Sequence, residues 1–277
     1  MKSERIFLKN EYGFLQNGTL DCLTIDYPLD GENTIGWKRP ALIVVPGGGY
    51  GMVSKREGET VATAFLARGF QTFILTYTVA PNGRYPDQLF ELAAAVDYIK
   101  KHADEYGVNK DEVFVVGFSA GGHLTANLAV EYASVSSRVG QTLDCKPTAV
   151  GLSYPVITSK NGHVGSFVNL LEGYSDEEKT ELLKTLNLDE AVTKDTPPAF
   201  IWATVDDQVV PASNALKYAF ALDKYSIPYE LHLYPTGVHG FSTANCENNA
   251  PHAGLQKAKK WVDECAEFFH MYVTEKF

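Results

Sequence analysis

The sequence predicts an α/β protein with a mostly parallel central sheet, helices on both of its faces and an antiparallel edge at the N-terminus. Three observations carry that expectation. Short, nearly unbroken apolar runs such as Ala41 to Val45 and Val113 to Phe118 recur along the chain. Strands buried on both faces read that way, whereas half-solvated strands alternate. Amphipathic stretches long enough for helices separate these runs, which implies crossover connections in a parallel sheet. The N-terminal region instead carries turn signals, Asn17-Gly18 and Asp30-Gly31, as antiparallel neighbours do.

In chain order, Phe7 to Asn17 and Leu20 to Tyr27 are expected at the antiparallel edge. The parallel set is expected at Ala41 to Val45, Phe70 to Thr76, Val113 to Phe118, Ala149 to Tyr154, Phe200 to Val205 and Glu230 to Tyr234. Helical patterns fall at about Glu59 to Arg68, Asp87 to Glu105, Ala120 to Ala133, Ala212 to Lys224 and Gly254 to Tyr272. Residues 157–198 break the rhythm with a polar loop and helix-like pieces near Gly165 to Glu172 and Asp176 to Leu186. A connection this long exceeds what a bare crossover needs. It is expected as an insertion above the sheet's C-terminal edge, covering one side of a pocket within a single domain of residues 1–277.

A chain of 277 residues buries a sizeable core without disulfides or metals. Its net charge of -10 has no basic footprint, which argues against nucleic acid and against an anionic membrane surface. No run approaches a membrane span, and charged residues interrupt the N-terminus where a secretory signal would be apolar. Cys22, Cys145, Cys246 and Cys265 lie far apart without zinc spacing, so free thiols in a reducing cytoplasm are expected. The composition is compatible with a homo-oligomer.

Gly117-Phe118-Ser119-Ala120-Gly121 matches Gly-x-Ser-x-Gly. The string alone is weak, but a buried-strand pattern, Val113 to Val116, precedes it and Ala120 to Leu128 opens a helix after it. So sharp a strand-to-helix turn needs small residues beside the serine. It lifts the hydroxyl clear of the sheet and aims a helix N-terminus at developing negative charge. Ser119 is therefore the candidate nucleophile; the bland alternative is a glycine-rich turn without chemistry.

A serine hydroxyl attacks only when a base takes its proton. In such a site an acid and a histidine follow the serine along the chain. Phe200 to Val205 ends in Asp206-Asp207-Gln208-Val209-Val210-Pro211, so two aspartates stand at a strand tip before a proline-started helix. Both are candidates. Of the histidines, His102 falls on a polar helix, His232 within a strand and His270 near the terminus, while His163 and His252 fall in loops or at a helix start. His239 follows the last strand in Pro235-Thr236-Gly237-Val238-His239-Gly240-Phe241 and is the candidate base.

Pro46-Gly47-Gly48-Gly49-Tyr50-Gly51 directly follows the first parallel strand. It lacks the signatures of a phosphate loop or a dinucleotide fingerprint. Glycines there let backbone N–H groups approach a substrate carbonyl with no Cβ in the way. The amides of Gly48, Gly49 and Ala120 are expected to form an oxyanion hole. Tyr50, Phe118, Tyr154, Val209, Val210 and Phe241, neighbours of these residues in sequence, are candidates to line an acyl pocket, with ordinary core as the competing reading. Lys55-Arg56-Glu57-Gly58-Glu59 reads as a charged helix entry, where solvation and local ion pairs outweigh a substrate-reading role for Arg56. No cluster has metal spacing, and neither a metal nor another cofactor is expected.

On these residues the chain resembles α/β-hydrolases of the esterase/lipase group whose oxyanion loop reads His-Gly-Gly-Gly. It is especially similar to bacterial acetylesterases and acetyl-xylan-esterase-like proteins, from about Leu42 to Phe269. The motifs are Pro-Gly-Gly-Gly-Tyr, Gly-Phe-Ser-Ala-Gly-Gly-His-Leu, Asp-Asp-Gln-Val-Val-Pro and His-Gly-Phe. The Asp-x-x-Val-Pro spacing familiar in that group selects Asp207 as the acid and leaves Asp206 to shape the turn. Pro46 stands where many relatives carry the loop's His, so whatever bracing that side chain gives is missing here. The resemblance implies a carboxylesterase working through an acyl-enzyme on small esters, acetyl esters of carbohydrates among them. The alternatives are a peptidase of the prolyl-oligopeptidase type, for whose usual propeller domain the chain has no room, and a binding protein that keeps the fold without turnover.

Overall fold

The computed structural model describes residues 2–26, 38–160 and 163–274. Among them eight strands form one sheet: β1 (Lys2–Phe7), β2 (Thr19–Thr24), β3 (Arg39–Val45), β4 (Gln71–Thr76), β5 (Val108–Phe118), β6 (Val150–Ser153), β7 (Ala199–Thr204) and β8 (Tyr229–Tyr234). Their order across the sheet is β1-β2-β4-β3-β5-β6-β7-β8. The pairs β1–β2 and β2–β4 are antiparallel, and the remaining pairs are parallel. The helices are α1 (Glu59–Leu66), α2 (Asp87–Lys101), α3 (Ala120–Val139), α4 (Val164–Leu170), α5 (Asp176–Leu186), α6 (Ser213–Lys224), α7 (Leu255–Ala258) and α8 (Trp261–His270).

Strand β3 shows why the central runs are apolar without alternation. Ala41, Ile43 and Val45 enter a core shared with Leu92 of α2 and Ala126 of α3, while Leu42 and Val44 enter a second core with Phe65 of α1 and Phe269 of α8. Both faces are covered, so both sets must be apolar. At the edge, β1 instead alternates between half-buried and exposed residues. Because β3, β5, β7 and β8 all point the same way, the loops that follow them gather along one edge of the sheet.

Several expected elements differ in detail. The first edge strand is Lys2–Phe7, not Phe7 to Asn17, where the chain makes a 3-10 turn, Leu8–Asn10, instead. That turn buries Leu8 and Tyr12, and the Tyr12 hydroxyl donates to Asp97 at 2.7 Å. Helix α3 runs on past Ala133 to Val139, with the Ser134 and Ser137 hydroxyls bonded back to the carbonyls of Glu131 and Ser134; it stops at Gly140, with φ +69°. The C-terminal helix divides into α7 and α8 where the Lys260 N–H bonds Lys257 three residues back, a local tightening of the ladder. Asp30-Gly31 lies outside the described residues. No described helix is long and apolar enough to cross a membrane, and the four cysteines are free, Cys246 alone being exposed.

Candidate active site

Ser119 joins β5 to α3 with φ +53° and ψ -116°, a left-handed conformation that costs a non-glycine residue about 1–3 kcal/mol. The surrounding backbone imposes it. The Ser119 N–H donates to Ser153 O at 3.0 Å, and its carbonyl accepts from the N–H groups of His123 and Val156, each at 3.1 Å. A Cβ on Gly117 would fall 2.2 Å from Thr125 Oγ1, and one on Gly121 would fall 2.2 Å from Val45 O. The two glycines of the motif are thus required by close approach of the strand, the helix and the neighbouring loop.

His239 lies between Ser119 and Asp207. Its Nδ1–H donates to Asp207 Oδ2 at 2.6 Å, and the Ser119 hydroxyl donates to Nε2 at 2.8 Å. The acceptor-only carboxylate sets this tautomer. Asp207 is buried, and its other oxygen accepts from the N–H groups of Val209 and Val210 at 2.8 and 3.0 Å. Its exposed neighbour turns the opposite way: Asp206 accepts from Thr236 Oγ1 and from the Gly237 N–H, so it ties down the loop that carries His239. Those two bonds hold the Asp206 carboxyl below the usual carboxylate range. The Tyr154 ring meets the His239 imidazole edge-on, with centroids 5.0 Å apart.

The glycine loop is held peptide by peptide. Gly47 O accepts from the Ser54 N–H at 2.9 Å, and Gly48 O accepts from Gly51 and Met52, each at 3.1 Å. A trans peptide is planar, so pinning each carbonyl fixes the N–H of the next residue on the opposite side, here Gly48 and Gly49. Gly49 O accepts from Asn169 Nδ2 at 2.8 Å, and the Gly47 N–H is taken by Glu57 Oε2 at 2.8 Å. Gly48 has φ +125°, and a Cβ there would lie 2.2 Å from Met52 O. The bracing role left open by Pro46 is met by other groups: Tyr77 OH donates to Pro46 O at 2.9 Å, and Glu57 holds the next residue.

A cleft of about 400 Å3 opens beside Ser119 and His239, walled by Gly48, Gly49, Met52, Arg56, Glu57, His163, Asn169 and Val209. The pocket residues expected from sequence neighbourhood need correction. Val209 does line this cleft, but Tyr50, Phe118, Tyr154, Val210 and Phe241 are all buried and lie outside its lining. Their side chains turn down into the cores: Tyr50 OH donates to His123 Nδ1 at 2.8 Å, Tyr154 OH donates to Glu57, Val210 joins the same core as Ala126 and Leu92, and Phe241 stands edge-on to His252. The opposite wall comes from the segment between β6 and β7, through His163 and Asn169. Glu57, read as solvated, is buried; Arg56 is exposed and donates to Asn248 O and Asn249 Oδ1. A larger groove, about 790 Å3, runs between α6 and β8 and includes none of these residues.

His123 went unassigned by the motif that contains it. Its Nε2–H donates to Leu186 O at 3.0 Å, so the ring links the glycine loop, through Tyr50, to the end of α5. Burial pushes its pKa down to about 4. In the unfolded chain it titrates at about 6.5, so the unfolded state binds the extra proton between those values. The stability it contributes is present above pH 6.5 or so and is lost as pH falls to about 4, by about 3 kcal/mol. In His123→Gln the pH-dependent part of the urea-unfolding free energy across this window should shrink by about that amount. An unchanged slope would contradict the buried neutral ring.

A mostly parallel eight-stranded sheet with this strand–Ser–helix turn is the architecture of an α/β hydrolase. Solved structures share it: the acetyl ester-xyloside bifunctional hydrolase of Caldicellulosiruptor lactoaceticus aligns with a TM-score of 0.82 at 29% identity, covering 97% of this chain and 96% of that one. The chain belongs to the BD-FAE family, which it matches over residues 31–222. It is 37% identical over 216 residues to endo-1,4-beta-xylanase B of Butyrivibrio fibrisolvens, across 76% of this chain and 34% of that protein. It is 32% identical over 208 residues to the acetylxylan esterase of Xylanibacter ruminicola, across 73% of this chain and 41% of that protein. The chain therefore aligns with about a third to two fifths of the length of these curated relatives. Among the described residues, no group of three or more His, Cys, Asp or Glu side chains is arranged to hold a metal ion.

Proposed function

We propose that this chain is a carboxylic ester hydrolase that works through an acyl-enzyme on Ser119, with short-chain acyl esters of carbohydrates as its substrate class. The observation that carries this reading is the hydrogen-bonded line Asp207–His239–Ser119, which ends in the cleft beside the Gly48 and Gly49 peptides. His239 takes the Ser119 proton as Oγ bonds to the ester carbonyl carbon. The Gly48, Gly49 and Ala120 N–H groups receive the resulting oxyanion, Ala120 being the first residue of α3, where N–H groups lack partners within the helix. His239 then returns the proton to the departing alcohol, and water repeats the cycle to release the acid.

The names of two relatives, an acetylxylan esterase and an acetyl ester-xyloside hydrolase, support the acetyl-carbohydrate class. So does a cleft with polar walls at Arg56, His163 and Asn169, which suit a hydroxyl-rich alcohol better than a lipid chain. None of the relatives named above is a peptidase.

The test is kcat/KM across 4-nitrophenyl acetate, butyrate and octanoate, beside acetylated xylo-oligosaccharides. Acetate should be preferred. A cleft of about 400 Å3 is near the small end of ligand sites, and each methylene left in water forfeits about 0.8 kcal/mol. A chain too long for the cleft also pushes the ester carbonyl about 1 Å off its productive position, so the fall from acetate to octanoate should reach about 10²-fold. Values that rise along the series would contradict the short-chain assignment.

A further inference from the structure

The cleft contains a carboxylate that the acyl-enzyme scheme leaves unused. Glu57 ends the 3-10 turn Lys55–Glu57 and is only 4% exposed. Its two oxygens serve different loops. Oε2 accepts from the Gly47 N–H at 2.8 Å, and Oε1 accepts from Tyr154 OH at 2.7 Å. The Tyr154 oxygen itself accepts from the Ser242 N–H at 3.0 Å, so its proton is directed to Glu57. Both carboxyl oxygens therefore act as acceptors, the role of a carboxylate rather than of an acid.

These contacts bridge the two loops that carry the chemistry. Gly47 opens the loop whose next two residues line the cleft, and Ser242 follows His239 by three residues. The Tyr154 ring lies edge-on to the His239 imidazole, and Ser242 in turn donates its hydroxyl to Arg56 O at 2.6 Å. We propose that Glu57 is a positioning residue that holds the oxyanion loop and the His239 loop in register with each other. The inference rests on the esterase reading above.

Charge matters here because bonds to a carboxylate are stronger than bonds to a neutral acceptor, and because a buried carboxylate is stable only when its acceptors are satisfied. Glutamine has the same shape but replaces one oxygen by an NH2 group, so Glu57→Gln either sets a donor against the Gly47 N–H or reverses the Tyr154 bond and leaves that hydroxyl's proton without its acceptor. A misplacement of about 1 Å between reacting groups costs about 10²-fold in rate.

The experiment measures kcat, KM and inhibition by a short alkyl trifluoromethyl ketone for wild type, Glu57→Gln, Tyr154→Phe and the double variant, with 4-nitrophenyl acetate as substrate. Glu57→Gln should lose about 10²-fold in kcat with KM within about threefold, and ketone affinity should fall in parallel, because the ketone adduct needs the oxyanion donors. Tyr154→Phe keeps the Gly47 bond and the ring, and should lose about tenfold in kcat; the double variant should lose little more than Glu57→Gln. A Glu57→Gln kcat within threefold of wild type, or a loss confined to KM, would overturn the proposal. Should Glu57→Gln fail to fold, Tyr154→Phe decides, and wild-type kcat there overturns it. Ser119→Ala, assayed alongside, separates the two claims: if it stays active, the esterase reading itself fails whatever Glu57 does.

Discussion

Replacing Ser119 with alanine should lower kcat/KM for 4-nitrophenyl acetate by about 10⁴-fold or more while leaving the fold intact. The hydroxyl's bond in the site is the one it donates to His239, and the elbow is held by backbone bonds from Ser153, His123 and Val156 that alanine keeps. Alanine also tolerates φ +53° no worse than serine does. Thermal melting should therefore stay within about 4 °C of wild type, a shift worth roughly 1 kcal/mol or less. Activity within tenfold of wild type would remove Ser119 from the reaction.

Asp207→Asn should lower kcat by about 10⁴-fold, and Asp206→Asn by less than about tenfold. At position 207 an amide oxygen can keep the bonds from Val209 and Val210, but the amide NH2 then faces His239 Nδ1. That drives the ring to the Nε2–H tautomer, which has a donor where the Ser119 proton must be accepted. The developing imidazolium also loses its counter-charge. At 206 the same change weakens one of two bonds, to Thr236 Oγ1 or to the Gly237 N–H, on an exposed side chain. The His239 loop keeps its other ties, including Thr204 Oγ1 donating to Gly237 O at 3.0 Å. Side-by-side kcat values decide the matter, and equal losses or a reversed order would mean that the acid is misassigned.

The parallel strands were legible because two-sided burial leaves no choice of residue class, as in Leu42 to Val45, where neighbours enter opposite cores. Ser119 and His239 were legible because each is a reactive side chain in the turn or loop that follows an expected strand. The choice between Asp206 and Asp207 was not settled by the residues alone; adjacent positions at a strand tip differ only in direction, and the spacing familiar in relatives made the choice. All the expected pocket residues but Val209 failed for the same reason. Tyr50 and Tyr154 adjoin the site in sequence, but positive φ values of 59° and 38° turn their rings inward. Glu57 carried no signal, because its letter reads the same exposed or buried, and its partner Tyr154 is 97 residues away. Asn169 lies in the segment between β6 and β7, where helical periodicity is short and says nothing about which turn meets Gly49.

The central claim is that Ser119 becomes covalently acylated because His239 and Asp207 activate it. Incubation with an alkyl fluorophosphonate, followed by intact mass and peptide mapping, tests this most directly. The account predicts one adduct per chain, on Ser119, formed in step with loss of 4-nitrophenyl acetate hydrolysis, and labelling slowed by orders of magnitude in Asp207→Asn. Continued ester hydrolysis without an adduct, or an adduct on another residue that tracks the loss of activity, would contradict it.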